Sequence, residues 1–305
     1  MKAPPRRILL ATDLSARSDR AQDRALLLAK HYNAELLVLH VLEQTQRNRP
    51  VHRVRFSPFF NPDEKLIESA KWQVLESLRD IGDRVKVRIE KGDPRHAILR
   101  IAGEERCDLI VTGVARNEML GRITAGKTVD HLMRNAEISM LTVTDRVRGF
   151  YRNIVVTSDF SDASRLALET AATFFPKQKL TILHAHATPG SWAVDDRESY
   201  RAQMRQSVHQ NYQSFLDTVD LNDDERARLT VLIDWGDISH LVQELVHSTS
   251  TDLVVLGSTI RNVLFKALIG SAAKRIMSVL PCDALVVRGR RSQDNGELAL
   301  LTDGL

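Results

Sequence analysis

Two aspartates, Asp13 and Asp159, each close a short apolar run, ILLAT and IVVTS, and each precedes a serine by two positions, Ser15 and Ser161. A carboxylate at such a strand end can accept hydrogen bonds from a base or a hydroxyl of a ligand; equally it can serve as a plain turn residue. The second feature is a pair of glycine-containing segments, GVARNEMLGRITAGKT from Gly113 to Thr128 and GSTIRNVLFKALIGSA from Gly257 to Ala272. Glycine lets backbone approach a phosphate, and a helix start beyond it adds N–H donors and a favourable dipole. Within the first segment, Gly121–Thr128 spells GRITAGKT and satisfies the P-loop pattern GxxxxGK[ST]. A P-loop glycine follows its strand closely, whereas seven residues separate Gly113 from Gly121, and the second-half segment 265–272 lacks both that glycine and the lysine. The context therefore argues against a P-loop and leaves Lys127 and Thr128 as candidate phosphate contacts. His184-x-His186 puts two imidazoles on one face of a strand, a spacing that suits zinc, but no third ligand accompanies them and a structural role fits better.

The elements that must position these residues occur twice. His40 and His184, Gly92-Asp93 and Gly236-Asp237, His96 and His240, Asp108 and Asp252, Gly113 and Gly257, and Gly126 and Gly270 all stand 144 residues apart. Near the start, Ile8–Ser15 answers Ile154–Ser161 at an offset of 146, so two residues differ in the first helical region. Apolar runs predict strands at Arg7–Thr12, Glu35–Val41, Val85–Ile89, Leu109–Thr112 and Met140–Thr144, then Asn153–Ser158, Lys179–Ala185, Leu229–Ile233, Leu253–Leu256 and Ala284–Val287. Runs such as LIV and LVVL lack polar alternation, which suits strands covered on both faces. Ser15 and Ser161 are N-cap candidates, and Asp93 followed by Pro94 is a cap with proline at the first helical position. The expectation is an α/β protein of two tandem domains, each a five-stranded parallel sheet flanked by helices, over residues 1–147 and 148–290, with a tail at 291–305. The short junction Asp145–Tyr151 favours two domains packed together.

Composition narrows the class. A chain of 305 residues with 43% hydrophobic and 27% charged residues has the balance of a globular protein, and no run approaches a membrane span. The apolar run behind Lys2, Arg6 and Arg7 breaks at Asp13, too early for a signal peptide, so a cytoplasmic location is expected. Cys107 and Cys282 occupy non-equivalent positions in the halves and read as reduced thiols. The net charge of +4 is too mild to argue for nucleic acid. One basic stretch, with Arg47, Arg49, His52, Arg53 and Arg55 ahead of Phe56, Phe59 and Phe60, reads as a solvated loop with an aromatic anchor before a nucleic-acid contact. No nucleophile–base pair, metal cluster or carboxylate pair recurs at fixed spacing, which favours binding over catalysis.

The repeat, the strand-end aspartates, the Gly-Asp steps and the glycine loops together resemble the universal stress protein family, over about residues 6–145 and 151–288. The resemblance implies Rossmann-like domains of the adenine nucleotide alpha hydrolase type. Nucleotide-binding members carry a loop G-x2-G-x9-G-[ST]. Here the first half supplies Gly113, Arg116 in place of the middle glycine, Gly126 and Lys127, with Thr128 one position late. The second half supplies Gly257, Ile260 in the middle place, Gly270 and Ser271. What the resemblance implies is ATP or AMP, with Mg2+ if ATP, lying across the ends of strands one and four. Asp13 or Asp159 would sit by the adenosine, Val41 or Ala185 would offer backbone to the base, and the loop would hold ribose and phosphates. The second half keeps three of four loop landmarks and is favoured by spacing, with Trp235 beside Gly236 at its expected mouth. Single-domain relatives commonly pair through their last strands, so the halves are expected to form that pair within one chain, which leaves a homodimer to another surface. The expectation is a non-catalytic stress-response protein with at most a degenerate adenine-nucleotide site. The alternatives are a slow ATPase using Gly121–Thr128 and a ligand-free interaction scaffold.

Overall fold

The computed structural model describes residues 3–43, 62–78, 84–114, 116–117, 122–123, 126–186, 197–258 and 271–289. The basic stretch 44–60, Gly121, Ile260, Gly270 and the tail lie outside the described residues. The first half runs β1 (Arg7–Thr12), α1 (Ala16–Tyr32), β2 (Glu35–Leu42), α2 (Pro62–Ser77), β3 (Val85–Lys91), α3 (Pro94–Glu104) and β4 (Leu109–Gly113). A two-stranded pair follows, β5 (Arg116–Asn117) and β6 (Arg122–Ile123), then α4 (Lys127–Asn135) and β7 (Ser139–Val143). The second half runs β8 (Asn153–Thr157), α5 (Asp162–Phe174), β9 (Lys179–His186), α6 (Arg197–Thr218), α7 (Asp223–Ala227), β10 (Leu229–Trp235), α8 (Ile238–Thr249), β11 (Leu253–Ser258), α9 (Ser271–Val279) and β12 (Asp283–Arg288).

All ten expected strands are present, several extended by a residue or two. Each half is a parallel five-stranded sheet, ordered β3-β2-β1-β4-β7 and β12-β11-β8-β9-β10. The sheets fuse because β7 and β12 pair antiparallel, with Leu285 opposite Leu141, giving one ten-stranded sheet. Continuous apolar strands are explained by two covered faces. Ile8, Leu10 and Leu36 join the core layer with Ala25 and Leu28 of α1 and Ala171 of α5. Leu9, Leu37 and Ile110 join the other, with residues of α3, α4, α8 and α9. Alternate residues of one strand thus serve opposite layers, as the period of two requires. Among the described residues, no helix is long and apolar enough to cross a membrane.

Of the expected serine caps, Ser161 accepts the Ser164 N–H at the start of α5, whereas Ser15 stands at the N-cap of α1 without a side-chain capping bond. Asp93 and Asp237 cap α3 and α8, accepting hydrogen bonds from the backbone N–H groups of Arg95 and Ser239. Each follows a glycine at positive φ, 138° for Gly92 and 147° for Gly236, which explains the repeated Gly-Asp step. Asp108 and Asp252, another repeated pair, accept backbone N–H groups at the starts of β1 and β8, from Arg6 and Arg7 and from Arg152 and Asn153. These four aspartates fix the scaffold.

The seam between the halves holds a polar group the sequence did not reveal. Asp283 is fully buried and accepts hydrogen bonds from the N–H groups of Thr144 and Asp145 and from the Tyr151 hydroxyl at 2.6 Å. The Arg24 guanidinium of α1 lies 3.2 Å from its carboxylate and 3.9 Å from the Tyr151 ring centroid, and donates to the Gly149 carbonyl. The junction is thereby pinned on both sides. The pseudo-symmetric position is filled by Ser139, whose hydroxyl accepts the N–H of Arg288.

Candidate functional site

The turn after the first strand of each half builds the same aspartate cradle. Asp13 Oδ1 accepts the Ser15 N–H at 3.0 Å and the hydroxyls of Ser15 and Ser18, the latter at 2.6 Å. Asp159 Oδ1 accepts the corresponding groups of Ser161 and Ser164. Leu14 and Phe160, at φ of 58° and 61°, make the left-handed step that brings each serine back onto its aspartate. A non-glycine residue there costs about 1–2 kcal/mol, and the cost recurs in both halves. For Asp159, burial pushes the carboxyl pKa up, but the Ser161 and Ser164 donors outweigh it and hold it below the usual value. The residues missed from sequence are Ser18 and Ser164. The pattern Asp-x-Ser-x-x-Ser, present in both halves, was the signal that could have found them.

Beside each cradle a histidine ties the second strand to the first. The Nδ1 of His40 lies 2.9 Å from the Thr12 carbonyl, and that of His184 lies 2.8 Å from the Ser158 carbonyl. His184 also stacks on Phe160, with ring centroids 4.2 Å apart. His184 is thus structural, and His186 packs edge-on against Trp235. Trp235 ends the edge strand β10 and faces His186, and it is not among the described lining residues of the second cavity, which include Ile238. Burial is the largest influence on His184 and pushes its pKa below 6.5, against the pull of the Ser158 carbonyl. Unfolding therefore takes up a proton, and stability falls as the pH drops below about 6.5. Urea midpoints at pH 7 and pH 5 are expected to differ less in His184→Gln than in the native chain; an equal difference would remove His184 from the pH response.

The cradles open onto two cavities at the strand ends. The first, of about 230 Å³, is lined by Asp13, Val41, Gly113, Gly126, Lys127 and Thr128, all six first-half candidates, with Leu39, Pro94 and Ile98 forming an apolar flank. Glu43 completes its polar wall. Gly126 stands at the N-cap of α4, and an added Cβ there would meet nothing within 4 Å. The second cavity, of about 660 Å³, gathers three of the five second-half candidates, Asp159, Ala185 and Gly257, with Asp162, Ser258, Ala272 and Ala273. Gly270 lies outside the described residues, and Ser271 opens α9. Lys127 is the only cation among the described lining residues of either cavity.

One reading of the glycine segments changes, and a structural reason joins the spacing against a P-loop. Gly257 has a packing reason to be glycine: an added Cβ would stand 2.3 Å from the Ala163 carbonyl oxygen. The start of α5 rests on that backbone, a contact that accounts for the glycine without a phosphate. The P-loop pattern is not one loop: Arg122 and Ile123, inside GRITAGKT, form β6 and pair antiparallel with Asn117 and Arg116. Paired backbone of that kind is not the open cradle of N–H groups that a P-loop presents. The two cysteines are buried and unpaired, and burial pushes the Cys107 thiol up to about 12. Such a thiol is a poor nucleophile at neutral pH.

Comparison with known proteins agrees with the duplication. The model of the universal stress protein family matches residues 5–144 and again 150–288. A universal stress protein A homologue of Coxiella burnetii is 32% identical over 143 residues, 45% of this chain and 94% of its own. A universal stress protein of Methanocaldococcus jannaschii is 25% identical over 142 residues, 45% of this chain and 81% of its own. A solved universal stress protein from Archaeoglobus fulgidus aligns over 94% of this chain and 99% of its own, with a TM-score of 0.66 at 17% identity. That alignment spans both halves and speaks for the fold.

Proposed function

Since the chain belongs to the universal stress protein family and carries two of its domains in tandem, we propose that it is a non-catalytic nucleotide sensor with one working site, in the first half. The observation that carries this reading is the convergence of Asp13, Val41, Gly113, Gly126, Lys127 and Thr128 on one cavity. Glycine spacing ranks the second half first, and so does volume. Among the described lining residues charge ranks the first half first, since each cavity has two carboxylates but only the first has a cation, Lys127 beside Asp13 and Glu43. Charge decides for a phosphate. The described lining of the second cavity offers Asp159 and Asp162 and no cation, and a carboxylate facing a phosphate without compensation is costly. In the first, Lys127 and Thr128 open α4, where the helix N–H groups and dipole favour an anion.

The ligand this arrangement suits is an adenine nucleotide. Leu39, Val41 and Ile98 flank a slot for a planar base, Asp13 accepts a ribose hydroxyl, and Lys127 and Thr128 meet phosphates, with Mg2+ accompanying ATP. What supports binding without turnover is the state of Asp13. Its Oδ1 is engaged by two serines, which suits a fixed acceptor better than a base that must take and release a proton.

Calorimetric titration of the nucleotide-stripped protein with AMP, ADP and ATP tests this. One site per chain is expected. Lys127→Ala removes a charge-assisted contact worth about 1.5–3 kcal/mol, a loss of roughly tenfold to a hundredfold. Adenosine affinity should be left nearly unchanged. No binding at millimolar nucleotide, or equal affinity in Lys127→Ala, would overturn the assignment.

A further inference from the structure

The first half carries a pair of imidazoles that the nucleotide reading leaves unused. His96, in the first turn of α3, and His131, on α4, have ring centroids 5.1 Å apart at an interplanar angle of 64°. His131 is half-buried, and His96 is 72% exposed. Its Nδ1 lies 3.4 Å from Asp93 Oδ2. The Arg95 guanidinium holds both oxygens of that carboxylate, and His96 Nε2 is the nitrogen turned away from it. Metal–nitrogen bonds of about 2.0–2.1 Å in tetrahedral geometry place two imidazole centroids about 5 Å apart. The observed centroid separation matches that spacing, with the rings edge to face.

The second half supplies an internal comparison. The positions equivalent to Asp93, His96 and His131 hold Asp237, His240 and Arg275. There the guanidinium of Arg275 lies 3.3 Å from Asp237, an ion pair where the first half has imidazole. An arginine cannot ligate a cation, so of these two equivalent places the first half's alone offers two nitrogen ligands. Asp130, on the same helix as His131, is engaged with Arg134 and Lys274. Among the described residues no three His, Cys, Asp or Glu side chains are placed to hold an ion together. The remaining coordination positions therefore fall to water or to a ligand atom.

We propose that His96 and His131 form a solvent-completed site for a borderline divalent cation, Zn2+ being the reference ion, with the Asp93 carboxylate, shared with Arg95, behind His96. Imidazole suits Zn2+, Cu2+ and Ni2+ and is a poor ligand for Mg2+ or Ca2+. The site is separate from the phosphate end of the cavity, although α3 and α4 both begin at that cavity.

The test is a Zn2+ titration of the metal-stripped, nucleotide-free full chain, by calorimetry with a competing chelator. Without nucleotide present, its outcome is independent of the proposed function. One Zn2+ per chain is expected. His96→Ala and His131→Ala should each weaken it by roughly tenfold or more, with unchanged thermal melting in the absence of metal. Asp93→Asn keeps a capping residue on α3 and should lose part of the affinity. His240→Ala and His186→Ala should bind as the native chain does. Absence of saturable Zn2+ binding, binding unaffected by both alanine changes, or binding lost in His186→Ala would each overturn the proposal.

Discussion

Replacing Asp283 by alanine is expected to destabilise the protein by about 3–5 kcal/mol, the largest effect of any single polar change at the seam. The carboxylate is fully buried, accepts hydrogen bonds from two backbone N–H groups and the Tyr151 hydroxyl, and forms an ion pair with the Arg24 guanidinium. Its removal leaves Arg24, itself 4% exposed, as a buried cation without its counter-charge. Burial alone pushes the Asp283 pKa up, and Arg24, Tyr151 and the two N–H groups pull against it. The pair is therefore a cancellation of large terms, and breaking one side exposes the other. Urea unfolding followed by far-UV circular dichroism measures the cost. The double variant Arg24→Met with Asp283→Leu separates the causes: with both charges gone, much of the loss should be recovered, since buried pairs are often no better than apolar replacements. Recovery will be incomplete because Thr144 and Asp145 still lose their acceptor. A single variant as stable as the native chain would refute this account of the seam.

Gly257→Ala should be nearly as damaging, for a steric reason. The new Cβ would stand 2.3 Å from the Ala163 oxygen, 2.5 Å from its carbonyl carbon and 3.0 Å from the Ser164 nitrogen. These are backbone atoms, so no rotamer change relieves them, and α5 must move off β11. Overpacking of this kind costs about 1–3 kcal/mol, and a backbone obstacle argues for the upper end. Because Ser164 holds Asp159, the same movement disturbs the second aspartate cradle. Gly126→Ala is the contrasting case, since its Cβ would enter open space. Its melting temperature should match the native chain, while nucleotide affinity in the first cavity reports on backbone approach there. Equal stability of the Gly257→Ala and native chains would show that α5 does not need that glycine.

Much of this architecture was legible because its signals are local and repeated. Apolar runs without polar alternation marked strands buried on both faces, and the constant offset of 144 residues marked the duplication. Asp93 with Pro94 marked a helix start that the structure contains. The first cavity was legible as a set, since its six candidates do converge. The seam was not, because Arg24 and Asp283 lie 259 positions apart and neither has a charged counterpart in the other half. Arg24 gave one clue: it lies between Ala21, Ala25 and Leu28 on the buried stripe of α1. A cation on such a stripe calls for a buried partner, but only the fold says which. Gly257 misled for a related reason. A glycine needed by a neighbouring helix looks, in sequence, the same as one needed by a ligand.

The antiparallel meeting of β7 and β12 sets the direction in which the chain faces its surroundings. Each cavity lies at the C-terminal ends of its own half's strands, and the halves run in opposite senses. Their mouths therefore look out from opposite edges of the sheet. A bulky partner seated over one mouth leaves the other uncovered, so the molecule can be held at one pole and still sample solution at the other. Duplication has given the chain two poles that later divergence could alter one at a time.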